Sequence, residues 1–163
     1  LGGCNASIRE TMPKGEVMDA EKYPISLEIS LANPVSIVDE GFKLSCRIIN
    51  STEHTIKLEP FLYMNVSVHI VALDGKADYQ TDIMTFVSEI VTEQSIMVMP
   101  PQKDRAFNWY ISRKLYPDQY PRRPGKYRLY LVYTNKSESL YGAPSKRLWV
   151  GELRSNTIEF EVK

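Results

Sequence analysis

Histidine and cysteine are scarce in this chain, with two of each among 163 residues. Cys4 and Cys46 are too few for a disulfide scaffold or a cysteine-rich zinc module, which need several cysteines at set spacings. His54 stands in a turn cluster and His69 in a strand-like segment. Their spacing suits neither helix neighbours nor a metal pair, so both read as surface residues. Also missing are a glycine-rich phosphate loop, a Gly-x-Ser-x-Gly elbow, a dinucleotide fingerprint and an Asp-x-Asp-x-Asp calcium loop. With no converging nucleophile, base and orienting group, no enzyme, metal or cofactor is expected. No apolar run approaches the ~20 residues of a membrane-spanning helix. Neither charge is in excess: 20 Lys and Arg balance 20 Asp and Glu. A dedicated nucleic-acid binder draws its affinity from surplus positive charge, so nucleic acid is not an expected partner.

What is present is a globular composition, 43% hydrophobic and 25% charged, in a length that suits one domain and a tail. From Tyr23 onward the apolar residues recur at every second position, the period of a half-buried strand. Ile25, Leu27, Ile29 and Leu31 form the first such row, and Phe42, Leu44, Cys46 and Ile48 the second. Val66, Val68, Ile70 and Ala72 form the third, followed by Phe107, Trp109 and Ile111. Tyr127, Leu129, Leu131 and Tyr133 come next, then Ile158, Phe160 and Val162. Short segments at Thr55–Leu58 and Ser95–Met99 add to the series, and turn residues such as Asp39-Glu40-Gly41, Asp74-Gly75 and Pro124-Gly125 punctuate it. Residues 78–93 fit a strand, a short helix or irregular structure equally. The pattern predicts an all-β sandwich over residues 23–163. Cys46, on the apolar face of its strand, is expected to be a buried and inert thiol, with a Cys4–Cys46 bridge as the alternative.

Residues 1–22 differ. Leu1-Gly2-Gly3-Cys4 resembles the lipobox of bacterial lipoproteins, in which a leucine and two small residues precede the acylated cysteine. The polar, aperiodic stretch after it reads as a flexible tether, with a short helical turn allowed near residues 17–22. The order of strands in turn resembles an immunoglobulin-like sandwich of bacterial envelope proteins. The resemblance rests on Glu40-Gly41-Phe42 through Asn50, on Pro124-Gly125-Lys126-Tyr127-Arg128-Leu129, and on Trp149 through Asn156 before the last strand. It implies seven to eight antiparallel strands and a tyrosine corner at Tyr127. Leu129 stands where an antibody-type domain would place a second cysteine, so no such bridge is implied. Together the two resemblances imply a location in the bacterial cell envelope, with membrane attachment through lipid on Cys4.

A fold of this kind names no activity. The expected role is a non-catalytic binding or scaffold module, and the surface most suited to recognition is the loop 115–124. Tyr116, Tyr120, Arg122 and Arg123 within it, with Tyr141 from a second loop, are the candidate binding residues for a protein or glycan ligand, since Tyr and Arg are enriched at interface hot spots. Arg113, Lys114, Lys126 and Arg128 make the neighbourhood basic. Two alternatives remain: a peptidase inhibitor inserting the segment 117–124, and a carbohydrate-binding module using Tyr116, Tyr120, Tyr141 and Trp149 as a stacking platform. Four Asn-x-Ser/Thr sequons, at Asn5, Asn50, Asn65 and Asn135, matter for a eukaryotic secreted protein and are incidental under a bacterial reading.

Overall fold

The structure, a computed structural model, describes residues 18–19, 24–36, 40–60, 65–75, 78–81, 95–114, 120–136 and 147–163. These residues form twelve strands: β1 (Met18–Asp19), β2 (Ile25–Leu31), β3 (Val35–Ser36), β4 (Phe42–Asn50), β5 (Ile56–Leu58), β6 (Val66–Ala72), β7 (Asp78–Thr81), β8 (Met97–Met99), β9 (Lys103–Ile111), β10 (Gly125–Asn135), β11 (Trp149–Arg154) and β12 (Ile158–Val162). No α-helix occurs among the described residues. The helical turn allowed by the sequence near residue 18 is instead extended chain. Met18 and Asp19 pair in parallel with Trp149 and Val150, so sheet structure reaches into the segment read as tether.

Two sheets face each other. The smaller has the order β2-β4-β9, all antiparallel. In the larger, β10 pairs with β6 on one side, and β7 extends beyond β6. On its other side β10 pairs first with β12 and then with β11. β11 and β12 are thus two halves of one interrupted strand. At the break Ser155 bridges to β10: its N–H donates to the Leu131 carbonyl at 2.9 Å and its Oγ accepts from the Leu131 N–H at 2.9 Å. β5 and β8 make a separate two-stranded ribbon. Setting aside the short pieces, this is the antiparallel, seven-strand order of an immunoglobulin-like sandwich. The two parallel pairings, β1 with β11 and β3 with β12, arise because the first edge switches sheets along its length.

The core lies between the sheets and follows the period-two rows. Leu44, Ile48, Leu129, Leu131 and Tyr133 are each 0% exposed. A leucine or isoleucine so buried contributes about 1.5–3 kcal/mol by leaving water. The four outward positions between Phe42 and Asn50 are exposed or half-buried: Lys43, Ser45, Arg47 and Ile49.

Each end of the sandwich gathers strand termini from both sheets. The starts of β4 and β10 and the ends of β6, β9 and β12 meet at one end, the Tyr127 end. Phe42 bridges the sheets there, with its ring 4.9 Å from Phe160 and 6.0 Å from Tyr120. The end of β4 and the starts of β2, β6, β9 and β11 lie at the opposite end, the Asn50 end. β10 spans both, about 36 Å at the usual rise per residue.

The two edges of the smaller sheet are blunted differently. On β2, the Asn156 side chain imitates a neighbouring strand. Its Oδ1 accepts from the Ile29 N–H at 2.7 Å and its Nδ2 donates to the Ile29 carbonyl at 2.9 Å. On β9, Lys103 and Arg105 occupy the row that continues inward as Phe107, Trp109 and Ile111, and both are exposed. Charged side chains at such positions discourage another strand from pairing.

Candidate functional site

The chain enters β10 through a segment nailed down by rings. Tyr120 is 0% exposed, packed beside Phe42, and Pro121 next to it is buried. Tyr127, 1% exposed, stacks on Phe160 with centroids 5.6 Å apart, and its hydroxyl donates to the Arg123 carbonyl at 2.9 Å. This is the tyrosine corner that the sequence resemblance implies. On the other sheet Gly41 takes φ 75°, and a Cβ there would sit 2.4 Å from the Ile111 carbonyl oxygen. Only glycine lets the start of β4 pass the end of β9 so closely.

Between the buried anchors the charged groups face outward. Arg122 is exposed, and Arg123 is half-buried with its Nη2 3.0 Å from Asp74 Oδ1. Lys126 is exposed while its carbonyl accepts from the Leu73 N–H at 2.9 Å. Leu73, Asp74, Arg123, Pro124, Gly125 and Lys126 line a surface cleft of about 310 Å³. Arg113 and Lys114, just past β9, are exposed at the same end. Arg128 does not join them, because its Nε is held 3.1 Å from Glu159 Oε1 across the β10–β12 pair.

The structure therefore divides the candidate residues. Arg122 is exposed and Arg123 half-buried at the rim. Tyr120 belongs to the core and has no face to offer a ligand. Cys4, Tyr116 and Tyr141 lie outside the described residues. Trp149 is 0% exposed and stacks on Tyr133 at 6.3 Å, so it is a packing residue. Burial of Tyr120 and Trp149 removes two of the four rings that the carbohydrate platform required. The inhibitory-loop alternative loses the middle of its segment for a similar reason, since Tyr120 and Pro121 are buried and cannot enter an enzyme cleft.

Cys46 is a free thiol, 1% exposed, and burial pushes its pKa up to about 12. Such a thiol is neither nucleophile nor metal ligand at neutral pH. Burial, with the Glu59 charge second, also raises the Tyr133 hydroxyl, which donates to the Glu59 carbonyl at 3.0 Å. On the outer face of the smaller sheet Arg47 reaches Asp104 at 2.8 Å, and its hydrogen bond holds that carboxyl below the usual range. Among the described residues no three His, Cys, Asp or Glu are grouped so as to hold a metal ion, and no helix is long and apolar enough to cross a membrane.

Two features escaped the sequence. His69 is half-buried and stacks on Tyr130 at 4.5 Å, while the Arg154 guanidinium lies 4.0 Å over the same ring. The contact follows from the register that sets Tyr130 opposite His69, and only pairing reveals register. The second concerns the sequons. Asn50, 0% exposed, donates from Nδ2 to the carbonyls of His54 and Met99 at 2.8 and 3.0 Å, with that of Pro100 also at 3.0 Å. Its Oδ1 accepts from the Thr52 N–H and hydroxyl at 3.0 and 2.7 Å. Asn135, 2% exposed, donates to the Trp149 carbonyl at 2.6 Å, and Asn65 to that of Pro60 at 2.9 Å. The folded chain has no room for a glycan on Asn50 or Asn135.

The strand order and corner define the class, an immunoglobulin-like domain. No protein-family model matches the chain. No curated protein matches it either. Among solved structures, a β-glucosidase from Listeria innocua bound to laminaribiose aligns over 86% of this chain at 9% identity and TM-score 0.45. One from Erythrobacter marinus aligns over 86% at 5% identity and TM-score 0.47. This chain spans only 16% of the length of those enzymes. A CARDB domain from Pyrococcus furiosus, solved with di-metal ions, aligns over 86% of this chain and 93% of its own at 10% identity and TM-score 0.41. Likenesses this distant transfer no activity, substrate or metal.

Proposed function

We propose that the chain is a non-catalytic binding module of the bacterial envelope, held by lipid on Cys4 and presenting the Tyr127 end to its ligand. The observation that carries this reading is the build of residues 120–127. Fully buried tyrosines fix the segment at both ends, and Arg122 and Lys126 project from between them. Such a segment loses little further freedom on binding, which is what a recognition surface needs. The direction of the chain is consistent with presentation. β1 runs parallel to β11, so the chain approaches the sandwich from the Asn50 end, opposite the segment 120–127. Thirteen residues lie between Cys4 and Met18, a reach of about 50 Å at most.

The test is to express the chain behind a lipoprotein leader in a bacterial host fed a clickable fatty acid. Label on the wild type and none on Cys4→Ser supports anchoring; an unlabelled wild type overturns it.

A further inference from the structure

Among the described residues the exposed large apolar side chains are Leu73, Val98 and Tyr110, and Tyr110 is the most exposed at 49%. It faces outward near the end of β9, on the solvent side of the β2-β4-β9 sheet. Its hydroxyl donates to the Glu40 carbonyl at 2.6 Å, so the ring is held at its far end as well as at the backbone. A ring that is both wet and fixed loses little freedom when a ligand lies on it.

Its neighbours on that face are short and polar. The strand registers set Ser30, Ser45 and Asn108 in one row across the three strands, with Lys43 beside Tyr110 in the next. Strands stand about 4.8 Å apart, so the row offers two hydroxyls and an amide over about 10 Å. All three are exposed, and among the described residues none spends its side chain on a bond within the protein. The charges on this face cancel, Glu28 and Asp104 against Lys43 and Arg47. Arg47 lies 2.8 Å from Asp104 and 3.9 Å from Glu28. A face so balanced has no net field to draw an ion.

We infer that this face binds a linear, uncharged, β-linked polysaccharide stacked on Tyr110. A pyranose has apolar C–H faces and a rim of hydroxyls, so it takes a ring beneath it and donors and acceptors beside it. A β-linked chain of the cellulose type extends as a flat ribbon that can follow a sheet, whereas an α-linked chain of the starch type coils away. A single sugar would need a concave pocket to bury enough of its surface. The site shares no residue with the loop platform expected from the sequence, and it goes beyond the envelope reading because it needs neither lipid nor the segment 120–127.

Cellohexaose, chitohexaose and maltohexaose are titrated into the isotope-labelled full chain, and backbone amide shifts are followed by NMR. At least one of the two β-linked sugars should move the amides of Ser30, Ser45, Asn108 and Tyr110. Its affinity should change less than about twofold when salt is raised about fourfold. Maltohexaose should bind about tenfold more weakly or not at all. Tyr110→Ala should weaken binding about tenfold or more, and Ser45→Glu/Asn108→Glu, which keeps the ring, should do likewise. Val98→Ala, an equally exposed site on the β5-β8 ribbon, should change it less than about twofold. All variants are first shown to melt like the wild type, and shift mapping on the wild type locates the site without them. Silence of both β-linked sugars overturns the inference, as do shifts confined to another surface, equal binding of maltohexaose, or equal weakening by Val98→Ala. A wild type that is dimeric in light scattering and monomeric as Tyr110→Ala also overturns it, since a second copy would then be the occupant. None of these outcomes touches the lipid-labelling result.

Discussion

The two ends of the sandwich close in opposite ways. At the Asn50 end, side-chain amides from Asn50, Asn65 and Asn135 reach back to main-chain carbonyls, so the connections are stitched by the protein's own hydrogen bonds. At the Tyr127 end the seal is aromatic: Phe42, Tyr120, Tyr127 and Phe160 pack together, and one hydroxyl fixes the corner. An end laced by buried amides has spent its polar groups inward. An end sealed by rings keeps its charged neighbours at the surface, where Arg122 and Lys126 are exposed. The difference separates an end closed by amides from one closed by rings.

Substitutions that remove each closure should sharpen the contrast. Asn50→Ala should have the largest effect, lowering stability by about 3 kcal/mol in urea unfolding, because buried carbonyls and the Thr52 N–H lose their partner together. Tyr127→Phe keeps the ring and loses only the bond to Arg123, so about 1 kcal/mol is expected. If the two losses proved equal, the contrast between the ends would be broken. The smallest effect concerns the middle of the molecule. Folded Cys46 keeps its proton up to about pH 12, whereas the unfolded thiol, with an ordinary value of 9.0, gives it up earlier. Stability should therefore fall as pH rises from about 9 toward 12 and be unaffected below that window. Tyr133, also raised by burial, adds to the fall in the same direction. Urea midpoints taken at pH about 8 and about 10.5 should differ less in Cys46→Ala than in the wild type. Cys46 lies midway along β4, four residues from Phe42 and four from Asn50. In a Cys4→Ser background, its rate of reaction with a thiol reagent should rise more with Asn50→Ala than with Tyr127→Phe.

Much of the fold was legible because burial on a sheet obeys a period of two. Phe42, Leu44, Cys46 and Ile48 showed their common face in the sequence, and Pro124-Gly125 before Tyr127 marked the corner. The site was legible only in part. Arg122 and Tyr120 sit two residues apart in a proline-rich loop with no period to separate them. Their opposite fates, one at the rim and one in the core, depend on Phe42 filling the space beside Tyr120, a contact spanning more than seventy residues. The roles of Asn50 and Asn135 were hidden similarly: a sequon and a buried amide are written with the same letters, and only the surrounding carbonyls tell them apart. Stacking of His69 on Tyr130 needed the register of two strands sixty residues apart.

The course of the first strands has a mechanical consequence. β1 and β2 both run away from the Asn50 end, so tension drawn through the amino-terminal segment acts along their length. The two-residue β1 gives way first, and the load then passes to the seven-residue ladder of β2 on β4, with the Asn156 amide gripping Ile29 from the other side. A ladder pulled lengthwise must break its bonds together rather than open one after another like a zip, so a domain hung this way resists drag better than its modest size would imply.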